Sequence, residues 1–296
     1  MKPLLNLSHV WAGYPHAPIL KNLSLRLGKA SMYGVLGEEG AGKSTLLRVI
    51  AGQIPITKGE MHWYDGISAE SPATSYLLET PRLYQNLSIR EHVNLFRGFY
   101  QVSLPQAEQW LQEVGLSPTA DQKIKDCSTS SLKRLGLVIA LLSDPRLVLI
   151  DEPERDLAPA QQTRFYQIIR KLLKYRDASF LVTSQQSELI EHWSDQVGVL
   201  HQGQIVWEGS PEKAPASAVF VFRPRAKPLI QQLLQQKQLP FEWLDQERVK
   251  VQVRWKSDIS MLAKHLVMHG IELLGIEQRP SALSDIVAMH APSLRA

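Results

Sequence analysis

The chain has one cysteine, Cys127, among 296 residues, which excludes an internal disulfide and a zinc cluster built on thiolates and fits a reducing compartment. Long apolar runs are also missing. The longest, around Leu135 to Leu142, is far short of the ~18–20 residues that span a bilayer, and Met1-Lys2-Pro3 opens without an apolar signal core. The chain is therefore expected neither to cross nor to leave a membrane by itself. Glycine (17) and proline (18) are too few for a collagen-like or low-complexity chain, and 44% hydrophobic with 21% charged residues excludes a disordered one. Neither sign of charge dominates, with 33 basic and 29 acidic side chains. The last 86 residues hold 12 basic and 8 acidic groups, which is the whole excess. That is a solvated surface rather than a polybasic run, so nucleic acid is not an expected partner.

A chain of 296 residues makes one large domain or two smaller ones. The stretch from Gly209 to Ser217 collects turn formers and small residues, and the break is read near Pro215, giving domains 1–214 and 215–296. Before it, Ser31–Leu36, Leu147–Ile150, Phe180–Thr183 and Val197–Leu200 read as strands, the second apolar on both faces. Helical spacing over Ser44–Ile50, Ile89–Tyr100 and Ala160–Lys174 alternates with them, so an α/β fold around a mostly parallel sheet is expected. The glutamine-rich segment at Gln231–Gln236 keeps a helical stripe of Leu229, Ile230, Leu233 and Leu234.

Gly37-Glu38-Glu39-Gly40-Ala41-Gly42-Lys43-Ser44 satisfies G-x-x-x-x-G-K-[ST] between an expected strand and an expected helix. Glycines let backbone N–H groups converge on phosphate oxygens. Lys43 adds a cation and Ser44 a hydroxyl for Mg²⁺, with Thr45 next in the helix. Glu38 and Glu39 are acidic for a loop that holds anions, and weaker nucleotide affinity is one expected result. About a hundred residues on, the Leu147–Ile150 strand ends in Asp151-Glu152-Pro153. Asp151 suits Mg²⁺ held through water, and Glu152 suits a general base for the attacking water. Together the two motifs point to ATP or GTP.

On these motifs, residues 1 to about 210 resemble the ATP-binding subunit of ABC transporters, a P-loop NTPase with a helical subdomain. Further segments carry the resemblance in the right order: Ser75–Glu79, Leu83–Glu91, Arg134–Pro145 and Val197–Ser210. The resemblance implies that Tyr14, or Trp11 nearby, stacks on adenine and that Glu79 contacts Mg²⁺ or water. It also implies a signature loop at Ser128, Thr129 and Ser130 that closes on a partner's nucleotide, and a switch position at Gln185. The expected assembly is two such domains, homodimer or heterodimer, around two ATP molecules with Mg²⁺. They would lie on the cytoplasmic face of a separate transmembrane subunit, peripheral to the membrane.

The departures from the family pattern matter as much. Cys127-Ser128-Thr129-Ser130-Ser131 replaces the signature glycines with side chains, Ala158 stands where the family places an aspartate, and Glu79 stands in place of glutamine. Gln185 replaces the switch histidine with an amide that can hydrogen-bond but cannot shuttle a proton. A slow ATPase, or a heterodimer whose partner does most of the catalysis, follows from these changes.

After residue 215 the pattern reads β-α-β-β-α-β with a terminal helix at Ser281–His290, expected as a small α+β, ferredoxin-like accessory domain. Its stretch from Gly275 to Ile286 resembles the ending of ATPases from the exporter branch. His265, His269 and His290 lack acidic or thiol companions at helical spacing and are not expected to hold a metal. The leading reading is an energy-coupling subunit of an export-type transporter. The alternatives are a regulatory or structural subunit with little hydrolysis, and a soluble ABC protein acting on nucleic acid or ribosomes.

Overall fold

The computed structural model describes residues 3–14, 17–64, 74–77, 83–175, 178–214, 216–253 and 256–278, with 283, 286 and 287. The chain divides into two compact units, Met1–Glu208 and Gly209–Ala296. The first begins with β1 (Pro3–Tyr14), β2 (Ala17–Gly28), β3 (Met32–Leu36), α1 (Lys43–Ile50), β4 (Ile56–Trp63) and β5 (Thr74–Leu77). Three helices follow, α2 (Ile89–Phe99), α3 (Leu104–Glu113) and α4 (Thr129–Leu141). The unit closes with β6 (Leu147–Ile150), α5 (Pro159–Tyr175), β7 (Ser179–Ser184), α6 (Ser187–Trp193), β8 (Gln196–His201) and β9 (Gln204–Gly209).

Six strands form one sheet in the order β5-β6-β7-β3-β8-β9, and the pairs joining β5, β6, β7, β3 and β8 are parallel. Strand alternation sorts its two faces. Leu147 and Leu149 join the core built from β1, β2 and α1, while Val148 and Ile150 join the core under α2 to α5. A second, antiparallel sheet, β2-β1-β4, adds to the frame expected from the sequence. Its strands escape pattern reading because register shifts interrupt β1 between Leu7 and Ala12, where His9 has a φ of 52°, so the two-residue period is broken.

Helices α2 to α4 start on serine caps. Ser88 and Glu91 form a reciprocal capping box, Ser103 accepts from the Gln106 N–H, and Ser128 accepts from the Ser131 N–H. Fully buried His92 ties α2 to the loop before it: its Nδ1–H donates to the Ser88 carbonyl at 3.1 Å and its Nε2 accepts from the Tyr84 N–H at 2.8 Å. That pairing requires the neutral ring, in keeping with burial lowering the His92 pKa below the ordinary histidine value.

The second unit contains β10 (Ala216–Phe222), α7 (Lys227–Gln236), β11 (Phe241–Trp243), β12 (Arg248–Val253), α8 (Lys256–Met268) and β13 (Leu273–Gln278). Its strands make an antiparallel sheet in the order β11-β12-β10-β13. Val249, Val251 and Val253 are buried and alternate with half-buried Lys250 and Gln252, the signature of one covered face. On α7, Ile230, Leu233 and Leu234 are buried, while Leu229 is exposed at the stripe's margin. Helix α8 stops at Gly270, whose φ of 79° admits paired bonds from Gly270 to the Val267 carbonyl and from Ile271 to the Leu266 carbonyl. Residues 283, 286 and 287 are helical; the rest of the expected terminal helix lies outside the described residues.

Candidate functional site

Three adjacent parallel strands, β6, β7 and β3, end together, and the chain leaves each end carrying polar groups. Beyond β3, the Gly37 N–H donates to the Ser184 carbonyl at 3.2 Å. A Cβ at Gly37 would stand 2.6 Å from the Leu200 carbonyl oxygen, so only glycine fits. Gly42 takes a φ of 107° where the loop turns into α1, whose first turn carries no side-chain cap. Uncapped N–H groups at a helix start favour an anion.

Lys43 is buried, 5% exposed, and its ammonium is fully engaged. It donates to the carbonyls of Gly37 at 2.8 Å and Glu38 at 2.9 Å and pairs with Glu152 Oε1 at 3.0 Å. An ammonium has three donors, so an arriving phosphate must displace one of these partners.

Beyond β6 stand Asp151 and Glu152. The Thr183 hydroxyl donates to Asp151 Oδ1 at 2.7 Å and accepts from the Glu152 N–H at 3.1 Å, while the Tyr76 hydroxyl donates to Asp151 Oδ2 at 3.3 Å. Burial and the neighbouring Asp151 carboxylate together push the Tyr76 phenol well up, keeping it a donor. Glu152 has a φ of 40°, and Gln185 Nε2 lies 3.0 Å from each of its carboxylate oxygens, with Arg155 Nη1 at 3.8 Å. Burial draws the Glu152 pKa upward, but the Gln185 amide, Lys43 and Arg155 outweigh it and leave the carboxyl below the ordinary glutamate value. The group is an anion held by its neighbours.

Glu39, Gly40, Gly42, Lys43, Ser44 and Thr45 from the loop and the start of α1 line a cavity of about 260 Å³ together with Glu152, Arg155, Gln185 and Ile19. Glu38 is exposed and contributes its carbonyl to Lys43, not its carboxylate. Tyr14 is 51% exposed at the end of β1, its hydroxyl accepting from Arg48 at 3.2 Å, and it does not line this cavity. Ser128, Thr129 and Ser130 form the start of α4, away from the cavity walls. Glu79 lies outside the described residues. The hard oxygen donors Ser44 and Asp151 suit Mg²⁺: each Asp151 oxygen has one protein partner and keeps a lone pair for a metal-bound water.

Sequence reading missed Thr183, Ser184, Tyr76, Lys133 and Glu154. The signal for the first two is a pair of hydroxyl residues closing the apolar run Phe180-Leu181-Val182, at the strand end that faces the loop.

A family model described as "ABC transporter" matches residues 20–155, and a second, described as "AAA domain, putative AbiEii toxin, Type IV TA system", matches residues 129–191. The chain is 27% identical over 207 residues to the lantibiotic transport ATP-binding protein SrtF of Streptococcus pyogenes, covering 69% of this chain and 90% of the relative. It is also 27% identical over 216 residues to the bacitracin transport ATP-binding protein BcrA of Enterococcus faecalis, covering 70% of each. In fold it is similar to cbiO1 of Clostridium perfringens, part of the ABC transporter complex cbiONQ, with a TM-score of 0.65 at 18% identity, covering 79% of this chain and 96% of that one.

Proposed function

Because residues 20–155 match the ABC transporter family model and the chain is similar to ATP-binding proteins of lantibiotic and bacitracin transport, we propose that it belongs to that family and is the ATP-binding, energy-coupling subunit of an export-type transporter. One observation carries the reading. The glycine-rich loop, Glu152 and Gln185 line a single cavity beyond the ends of neighbouring strands, and Asp151 precedes Glu152 at the end of β6.

In this reading the loop N–H groups and Lys43 bind the phosphates of ATP, and Ser44 and Asp151 hold Mg²⁺, which neutralises phosphate charge when bound. Lys43 leaves Glu152 to meet the phosphate. Glu152 then loses its principal cation, its basicity rises, and it can take the proton of the attacking water. Gln185 orients that carboxylate but carries no proton. Ser128, Thr129 and Ser130 face the nucleotide of a second copy or a related chain, and Glu79 and Tyr14 serve Mg²⁺ and adenine.

No helix among the described residues is long and apolar enough to cross a membrane, so the reading requires a separate transmembrane subunit, with this chain peripheral on the cytoplasmic face. At the C-terminal end of α2 and the start of α3, Phe99 is 75% exposed and Tyr100 and Leu104 are also exposed, and Tyr100 lines a cavity of about 360 Å³ with Leu83 and Phe96. An apolar patch of this kind supports docking to another protein. Recovering the tagged full-length chain from gently solubilised native membranes tests the reading: a membrane protein should co-purify, and no membrane partner would overturn it. Phe99→Asp should cut recovery of that partner by about 30-fold, the loss of one buried aromatic anchor, with ATP binding unchanged. Equal recovery would reject this patch.

The second unit is read as a ferredoxin-like accessory domain, its sheet order and element sequence supporting that fold. A regulatory subunit with little hydrolysis is the second reading, favoured by the Gln185 amide that holds both Glu152 oxygens. Gln185→His separates the two. A histidine can accept a proton, so turnover should rise about 3- to 10-fold if this position limits hydrolysis. An unchanged rate of phosphate release would contradict the limit.

A further inference from the structure

We propose that Glu154 is a positioning residue for hydrolysis, acting through Ser184 to hold the Gln185 amide on both oxygens of Glu152. The inference rests on the ATPase reading above.

Glu152 and Glu154 leave the same turn in different directions, one toward the phosphate loop and one into the interior. The turn itself is clamped. Lys133 from α4 donates to the carbonyls of Arg155 at 2.6 Å and Glu152 at 3.4 Å, and Gln162 from α5 donates to those of Leu157 at 3.0 Å and Glu154 at 3.3 Å. The Glu154 side chain, 4% exposed, accepts from the Ser184 hydroxyl at 2.5 Å and from the Tyr166 hydroxyl at 3.0 Å. Ser184 in turn accepts from the Gln186 N–H at 2.9 Å. Gln185 lies between these two residues, so its backbone is pinned on both sides and its amide has a fixed origin.

A buried carboxyl costs more than an apolar side chain of similar size, so packing alone does not call for glutamate here. Burial pushes the Glu154 pKa up, and the hydroxyls of Ser184 and Tyr166 offset only part of that. What the carboxyl adds over an apolar group is two directed acceptors. One is used on Ser184, the residue that starts the Gln185 turn. The other is used on Tyr166, which is fully buried in the helix-side core. Glu154 thus ties the segment that carries Gln185 to the helix-side core, which fixes where the amide meets Glu152.

The test uses the full-length chain with Glu154→Gln, Ser184→Ala, Gln185→Ala and the Glu154→Gln/Gln185→Ala double variant. Two readouts are taken: steady-state ATP turnover with ATP affinity, and the nitrogen-15 side-chain amide resonance of Gln185. Glu154→Gln is expected to lower kcat about 10-fold with the ATP Kd within about twofold, the double variant falling no further than Gln185→Ala alone. The Gln185 resonance should move in both Glu154→Gln and Ser184→Ala. Effects that multiply in the double variant, or an unmoved resonance in a folded variant, would overturn the proposal. If Glu154→Gln does not fold, Ser184→Ala cuts the same link and decides alone. Failure of the wild-type chain to bind or hydrolyse ATP would remove the ATPase reading, and the Gln185 resonance would still decide what Glu154 holds.

Discussion

Glu152→Gln is expected to lower ATP turnover by about 10²- to 10⁴-fold while ATP stays bound. The change keeps the shape of the side chain and its place between Lys43 and Gln185 but removes the charge that could take a proton from water. Affinity should hold or rise. The Glu152 carboxylate competes with phosphate for Lys43, and a neutral amide competes less. The measurement is single-turnover phosphate release beside equilibrium ATP binding, on the assembled complex. Phosphate release equal to the unmodified chain would remove Glu152 from the base role.

Lys43→Met should abolish ATP binding at ordinary concentrations, a loss of about 2–4 kcal/mol or ~30- to 1,000-fold in Kd, from the charge-assisted bonds that the ammonium offers phosphate. Methionine keeps most of the buried stem, so the fold should survive. The acid side of stability reports separately on the Lys43–Glu152 pair. Because the folded-state pKa of Glu152 is depressed, the group adds stability above its unfolded value, and that stability is lost as pH falls through the folded value. Without Lys43 the depression shrinks and burial gains weight, so this contribution diminishes and its loss is complete at higher pH. Titrating ATP against the variant, and following its melting temperature from neutral to acid pH, checks both. An unchanged Kd would mean that the phosphate does not meet Lys43.

The site was legible wherever chemistry constrains residue type in a short window. A loop that wraps phosphate needs Gly37, Gly40 and Gly42 at fixed spacing with Lys43 after them, and a strand that ends in acid announces itself as Leu147-Val148-Leu149-Ile150-Asp151-Glu152. The glycine spacing reflects backbone physics, because a Cβ at Gly37 would collide with the Leu200 carbonyl, although residue 200 is far along the chain. The supporting groups were not legible. Thr183, Ser184 and Glu154 are ordinary residues whose meaning appears only when β7 lies beside β6, and β1 was hidden because its bulges break the alternation on which strand reading depends.

The sequence by itself determined that this protein has an α/β domain with a phosphate-loop motif and a strand ending in Asp151-Glu152, because those features are local: a period of two or of 3.6, a glycine spacing, an apolar run closed by acid. Only the tertiary structure decided how Gln185 is held against Glu152. Glu152 and Gln185 follow the ends of β6 and β7 and Lys43 opens α1 after the loop from β3, and it is the order β6-β7-β3 that brings Lys43 and Gln185 each to 3.0 Å from Glu152. Burial then gives those contacts their strength, since a carboxylate shielded from water depends on whichever cation and amide the fold sets beside it.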